Sequence, residues 1–253
     1  MNILFTICGR AGSKGFKNKN LKEMNGVPLV FYTLATIELF KKSNPDNNIT
    51  VAVNTDSQPL VEMVKSQRVL DDVLYIPRKE ELAGDKVAKV DVIRDTFREV
   101  GNAFDVIVDL DITSPLRRAE DLEGIIQEYI SNTSCDLITS VVPARRSPYF
   151  NMVEKKGDFY RKICESKFTT RQEAPASYEL NASIYAYRPE FLNTDITDTI
   201  LDHNCGISVM EDYLVLDIDS EEDFQMMEVL HRYYLDHDEG LKKVYEEAKL
   251  FLN

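Results

Sequence analysis

The first half of the chain alternates short apolar runs with longer stretches of helical period. Residues 2–8 (NILFTIC) form an apolar run that ends in a glycine-bearing loop over 9–15. Pro28 suits the first position of a helix, and PLVFYTLATIELFKK predicts one over 28–42. A strand is predicted over 49–54 (ITVAVN), with Asp56 placed to cap the segment that follows. Further strands are predicted over 73–76 and 106–110 (VIVDL), and helices over 87–100 and 119–130. Strands this short and apolar, each followed by a helix, call for a largely parallel sheet covered on both faces. The fold class is therefore α/β.

The alternation breaks at about residue 142. From 142 to 177 the chain is polar and irregular, with a turn at Lys156, Gly157 and Asp158 between two short strand-like pieces. This predicts an inserted hairpin subdomain over 142–177, the main domain being formed by 1–141 and 178–253. The sheet is expected to resume at 182–187 and 213–218. Ser220 and Asp223 approximate a capping box for a helix to about 234, and a charged helix over 240–251 closes the chain.

Composition narrows the function. The 253 residues carry a formal net charge of −13, which argues against a nucleic-acid partner, since that needs a basic face. No apolar run reaches membrane-spanning length and no basic, apolar leader is evident, so no membrane partner and a cytoplasmic location are expected. Cys8, Cys135, Cys164 and Cys205 form no CxxC pair and read as reduced thiols. His203, His231 and His237 have no metal-ligand spacing and read as structural or solvated, the last two on a surface helix.

Three segments at predicted strand ends carry candidate chemistry, the place where open α/β sheets bind ligands. The first is GRAGSKG over 9–15, continuing FKNKN to Asn20. Its glycines let backbone N–H groups turn towards a phosphate, and Arg10, Lys14, Lys17 and Lys19 supply positive charge. Its spacing matches neither the P-loop nor the GxGxxG dinucleotide fingerprint. The plain alternative is a solvated basic loop. The second is DLDITSPLR over 109–117. Asp109 and Asp111 share a side of the strand if it persists, so they could hold a divalent cation or a ribose, with Arg117 meeting an anion. Alternatively, Asp111 and Ser114 simply cap the next helix. The third is Asp217 and Asp219 after the strand-like YLVL, a pair suited to Mg²⁺ bound together with phosphate oxygens. An acidic helix N-terminus would give the same pattern. Together, a cationic glycine loop and an acidic pair describe a site for a nucleoside triphosphate and Mg²⁺.

At this point the chain resembles a known family. RAGSKGFKNKNL (10–21), TSPLR (113–117), the RKEELA stretch from Arg78, and DID (217–219) are similar to motifs of CMP-N-acylneuraminate (CMP-sialic acid) synthetases. Within that family, DLDITSPLR, VVPARRSPYFNMVE and FTTRQEAPASYELNASIY look closest to bacterial CMP-legionaminic-acid synthetases. Sialate-type members usually carry glutamine where this chain has Asp111.

The resemblance implies a Rossmann-like nucleotidyltransferase sheet whose inserted hairpin is a dimerisation arm, and hence a homodimer. It implies that Arg10, Ser13, Lys14, Lys19 and Asn20 hold the CTP phosphates and ribose, with Lys19 also stabilising charge at the α-phosphate. Arg78 would contact the triphosphate or base side, and Asp111 would face the nucleotide. Arg171, Asn181 and Tyr185 would lie near the acidic sugar, Arg171 against its carboxylate. Asp217 and Asp219 would bind Mg²⁺, and Asp217 would help deprotonate the sugar hydroxyl. Arg10, Lys19 and Asp217 are thus the expected catalytic set.

The implied reaction is attack by the anomeric hydroxyl of a nine-carbon 2-keto acid sugar on the α-phosphorus of CTP, expelling pyrophosphate. Such a transfer needs alignment and charge neutralisation more than a covalent nucleophile. Two alternatives stay beside the legionaminic substrate: N-acetylneuraminate itself, and a nucleotide-binding regulator of the same fold without catalysis. Cytidylyltransferases for the eight-carbon acid KDO are a more distant rival, since their loop lacks KNKN.

Overall fold

The apolar runs become strands of one central sheet. In the computed structural model, which describes residues 1–12, 15–67, 69–70, 72–101 and 103–252, the first elements are β1 (Asn2–Cys8), β2 (Glu23–Met24), β3 (Val27–Pro28) and α1 (Leu29–Ser43). They are followed by β4 (Asn48–Thr55), α2 (Gln58–Ser66), β5 (Leu74–Pro77), α3 (Lys89–Val100), β6 (Val106–Leu110) and α4 (Ala119–Ser131). The second half contributes β7 (Leu137–Pro143), β8 (Val153–Lys156), β9 (Phe159–Lys162), β10 (Tyr178–Tyr187) and α5 (Pro189–Leu192). β11 (Cys205–Val209), α6 (Glu221–Leu235) and α7 (Glu239–Leu250) complete the fold.

The seven-stranded sheet runs β11-β7-β10-β6-β1-β4-β5. β1 pairs in parallel with β4 and β6, β4 with β5, and β7 with β11. β10 alone runs against its neighbours β6 and β7. The expected mostly parallel sheet is thus observed. Its centre reads as continuous apolar sequence because both faces are covered: Leu4 and Ile107 pack with α3, while Phe5 and Val108 pack under α1 and α4.

Several local expectations are corrected. Residues 213–218 form no strand; Asp212–Leu214 is a 3₁₀ turn, and the edge strand is β11 instead. Cys205–Val209 is partly exposed and interrupted by Gly206, so its pattern is too weak to read as a strand. β7 begins before the irregular segment and reaches Pro143, pairing with Tyr178. Within 142–177, β8 and β9 form a separate two-stranded hairpin around Gly157 (φ 65°), as the turn chemistry predicted. Pro28 precedes α1 rather than opening it, and Ser57, not Asp56, caps α2. The Ser220–Asp223 capping box is present at α6. His231 is not on the surface: it is 1% exposed, wedged between Tyr32 and Tyr245.

One buried cation ties the carboxyl end of β6 to β10. Arg117 is fully buried and donates to the backbone carbonyls of Ser114 (3.1 and 2.8 Å), Ser183 (3.1 Å) and Asp111. Burial lowers its pKa to about 10, with Asp111 and Asp109 opposing that shift, so it stays a cation at neutral pH. Its expected role of meeting an anion is therefore corrected: its donors are engaged inside the protein. Replacing it strands several carbonyls in a dry interior. Arg117→Met should cost at least about 3 kcal/mol of unfolding free energy in a chemical-denaturation experiment.

His231 makes a second prediction. Its Nδ1 lies 2.8 Å from Asn25 Nδ2, which donates to the neutral ring, and burial lowers the histidine pKa to about 4. The unfolded chain takes up this proton below about pH 6.5 while the folded one resists it until about pH 4, so stability falls as the pH drops through that window. Thermal unfolding followed between pH 7 and 4 should show this decline, and His231→Gln should flatten it.

Candidate active site

The candidate site is an open cleft of about 230 Å³ at the carboxyl ends of β1, β5 and β6, lined among others by Arg10, Lys19, Arg78, Lys89, Asp111 and Asp217. Its first wall is the loop after β1. That loop leaves the strand through Gly9, where a Cβ would come within 2.6 Å of Leu60 and 2.9 Å of Ile112, so the chain turns only without a side chain. Gly15 is equally constrained, since a Cβ there would meet the Asp219 carbonyl at 2.8 Å. This contact seats the loop on the segment that carries Asp217 and Asp219. Asp56, expected to cap α2, instead accepts from Ala11 N at 2.7 Å and pins the loop from below. Asn20 is buried and donates to Arg10 O at 3.1 Å, closing the turn.

Three cations of the cleft, Arg10, Lys19 and Arg78, are already held by carboxylates or carbonyls. Arg10 pairs with Asp85 at 2.5 Å. Lys19 Nζ donates to Ile218 O at 2.8 Å and Asp219 Oδ1 at 3.0 Å. Arg78, at the end of β5, is oriented by two bonds to Asn54, one to its side chain (3.0 Å) and one to its carbonyl (3.1 Å). Ser13 and Lys14, both expected to hold phosphate, lie outside the described residues.

The opposite wall is acidic. Asp109 is fully buried on β6 and accepts from Thr6 Oγ1 at 2.7 Å. Asp111 sits one residue beyond the strand, on the same side as Asp109 as expected. Lys89 Nζ bridges the two, 2.7 Å from Asp109 Oδ2 and 2.6 Å from Asp111 Oδ2. Burial works to raise the Asp111 pKa, but the Lys89 charge and the Thr113 hydrogen bonds overcome it and hold the group at about 2. Burial also works against the Lys89 ammonium, yet Asp109 and Asp111 keep its pKa well above the ordinary lysine value. The reading of Asp111 and Ser114 as helix caps is corrected: Arg118 is the N-cap of α4, and the Ser114 hydroxyl points to Asn181 O and Asp217.

Asp217 and Asp219 do not project from a strand end. Asp217 is half-buried, its Oδ1 3.4 Å from Ser114 Oγ. Burial and the nearby Asp111 charge raise its pKa. Asp219 is 80% exposed at its side chain and faces Lys19. The Ile218 N–H donates to Thr113 O at 3.0 Å, which lays this segment alongside the loop after β6.

The three residues expected near a sugar do not share one surface. Tyr185, on β10, lies with its ring 5.6 Å from Lys89 Nζ, next to the cleft. Asn181 is 1% exposed; its amide donates to Leu214 O and contacts Met210 Sδ, and its Oδ1 accepts from Ser140 Oγ. A bulge between Leu180 and Tyr185, with Ala182 at φ 52°, accompanies that inward placement. Arg171 is exposed and donates to Ala144 O at 2.8 Å, in a separate hollow beside the end of β7.

Lys89 is the cleft residue that the sequence did not announce as functional. It stands at the first position of α3, where a cation opposes the helix dipole. That placement was the available signal, because an unfavourable charge is held there only by specific partners.

Comparison with known proteins supplies the family. The family model described as Cytidylyltransferase matches residues 4–251. The chain is 36% identical over 235 residues to the CMP-N,N'-diacetyllegionaminic acid synthase of Campylobacter jejuni, covering 90% of this chain and 94% of that protein. It is 35% identical, with the same coverage, to the post-translational flagellin modification protein B of Campylobacter coli. In fold it is similar to a CMP:2-keto-3-deoxy-manno-octonic acid synthetase solved with CTP, with a TM-score of 0.64, 14% identity, and 93% and 100% of the two chains covered. A match that spans the glycine loop, the acidic wall and the helices behind them settles the assignment: the chain belongs to the cytidylyltransferase family.

Proposed function

We propose that the protein transfers CMP from CTP to the anomeric hydroxyl of a nonulosonic acid, N,N'-diacetyllegionaminic acid foremost, releasing pyrophosphate in the cytoplasm. The observation that carries this reading is the cleft itself. A cationic glycine loop faces a carboxylate wall at the ends of parallel strands, within a chain matched along its length by cytidylyltransferases. The 36% identical relative named for diacetyllegionaminic acid supports that acceptor over N-acetylneuraminate.

In this reading Arg10 and Lys19 neutralise the triphosphate, Lys19 at the α-phosphate, with the loop backbone adding N–H donors. Asp217 takes the proton of the sugar hydroxyl. Without a metal ion, burial and the neighbouring Asp111 charge raise its pKa. The donor set also suits Mg²⁺. Asp217 lines the cleft and Asp219 faces Lys19 beside it, and Mg²⁺ takes one or two carboxylates and fills its shell with phosphate oxygens and water. Asp217 and Asp219 would hold it, and a divalent charge there relieves the repulsion that raises the Asp217 pKa. Bound Mg²⁺ would withdraw electron density from the phosphate and balance the leaving pyrophosphate.

The β8–β9 hairpin supports a homodimer. Val153 and Tyr160, 59% and 65% exposed, share one face of it and Phe159, 64% exposed, lies on the other, apolar side chains that a second copy would cover.

Pyrophosphate release from CTP and Mg²⁺ with diacetyllegionaminic, N-acetylneuraminic, pseudaminic and KDO acids tests the proposal. Release should be strongest with the legionaminic acid; release with N-acetylneuraminic acid alone would keep the reaction and overturn the acceptor. CTP binding without release on any acceptor would favour the regulator reading. Asp217→Asn and Lys19→Met should each lower kcat by roughly a hundredfold or more, with the fold intact by circular dichroism.

A further inference from the structure

Lys89 is a cation of the cleft to which the triphosphate reading gives no role. Its stem crosses the inner end of the cleft, beside Cys8, Val87 and Val92, while Arg10 and Lys19 occupy the end nearer the glycine loop. Side chains of that kind give this part of the cleft a partly apolar lining, suited to a flat heteroaromatic ring rather than to a polyanion. The ammonium is fixed on two sides by Asp109 and Asp111, at 2.7 and 2.6 Å, and 32% of the side chain remains accessible. An ammonium has three N–H donors, and two carboxylates account for two of them. With its charge balanced by two carboxylates, Lys89 is a poor partner for another full negative charge but a well-placed donor to a neutral acceptor.

From this geometry we infer that Lys89 reads the nucleobase, donating its third N–H to N3 of cytosine. The inference rests on the reading that the cleft takes CTP. Its chemistry discriminates between pyrimidines: N3 of cytosine accepts a hydrogen bond, whereas N3 of uracil carries a proton and would face a donor with a donor. Leaving buried polar groups unpaired is the strongest means a site has of rejecting a near-isostere. Asp109 and Asp111 act as positioning residues, holding the ammonium where the base arrives.

The test is calorimetric binding of CTP, UTP, pyrophosphate and the sugar acid to the wild-type protein and to three variants. These are Lys89→Met, Lys89→Arg, and the double variant Lys89→Met with Asp109→Asn, which removes the charge that the first substitution strands. The wild type is expected to prefer CTP. In Lys89→Met, CTP affinity should fall by roughly tenfold or more and UTP affinity by less than about threefold, so that the preference collapses. The double variant should show the same collapse with its melting temperature restored. Lys89→Arg, still a donor, should keep the preference. Pyrophosphate and sugar-acid binding should be unchanged throughout. An equal loss of CTP and UTP, or a loss of pyrophosphate or sugar-acid binding, would overturn the inference and give Lys89 an anionic group to serve. A wild type that binds no cytidine nucleotide would instead sink the function reading, and this inference with it.

Discussion

The arrangement of the cleft depends on the buried Arg117 guanidinium. The loop after β6 must leave the sheet, bring Asp111 and Thr113 to the cleft, and return to start α4 at Ala119. Such a loop exposes carbonyls to a dry interior, and those of Asp111, Ser114 and Ser183 would be orphaned without a donor. Arg117 supplies several N–H groups from one rigid plane and reaches all three, joining the loop to the antiparallel strand β10. A lysine offers no such fork, and an apolar residue offers no donor at all. With the loop fixed, Thr113 can receive the Ile218 N–H, and Asp217 is brought up to the same wall. The loop that carries the acidic side of the site is thus anchored by a cation whose bonds turn into the protein.

The sequence made the sheet legible where burial on both faces writes itself as an unbroken apolar run. β1, β4 and β6 announce themselves in this way, and the amphipathic helices between them fix the parallel order. The edges were harder. β11 is interrupted by Gly206 and exposes Val209, so neither run nor alternation survives. The YLVL segment is apolar because Leu214 is buried in the main core next to β7, not because it pairs as a strand. Of the site, the glycine loop and the paired aspartates were visible as local motifs. Lys89 was not, since its partners lie 20 and 22 positions away and only the parallel pairing of β1 and β6 beside α3 unites them. Arg117 was seen but misread: a cation next to acidic residues in a motif suggests a ligand, and only its complete burial assigns it to the fold.

The charges of the cleft form a set that can be exchanged rather than created. Lys19 is paired with Asp219, Arg10 with Asp85 and Lys89 with two aspartates, so the surface is nearly balanced despite the protein's net charge of −13. In the proposed reaction, a triphosphate that takes Lys19 from Asp219 would free the very carboxylate expected to bind Mg²⁺, and the metal would accompany the nucleotide. The two events would then compensate each other, the phosphate gaining Lys19 as the carboxylate gains the metal. The exposed pairs exchange at low cost because each contributes little in water. The pair at Lys89 is different. Its aspartates are buried or nearly so, and breaking it would strand charge in the protein interior. The outer cations are therefore free to follow phosphate, while Lys89 stays in place and a ligand must fit to it. A cleft with yielding charges at one end and a fixed one at the other suits a nucleotide, whose phosphates need neutralisation and whose base needs recognition.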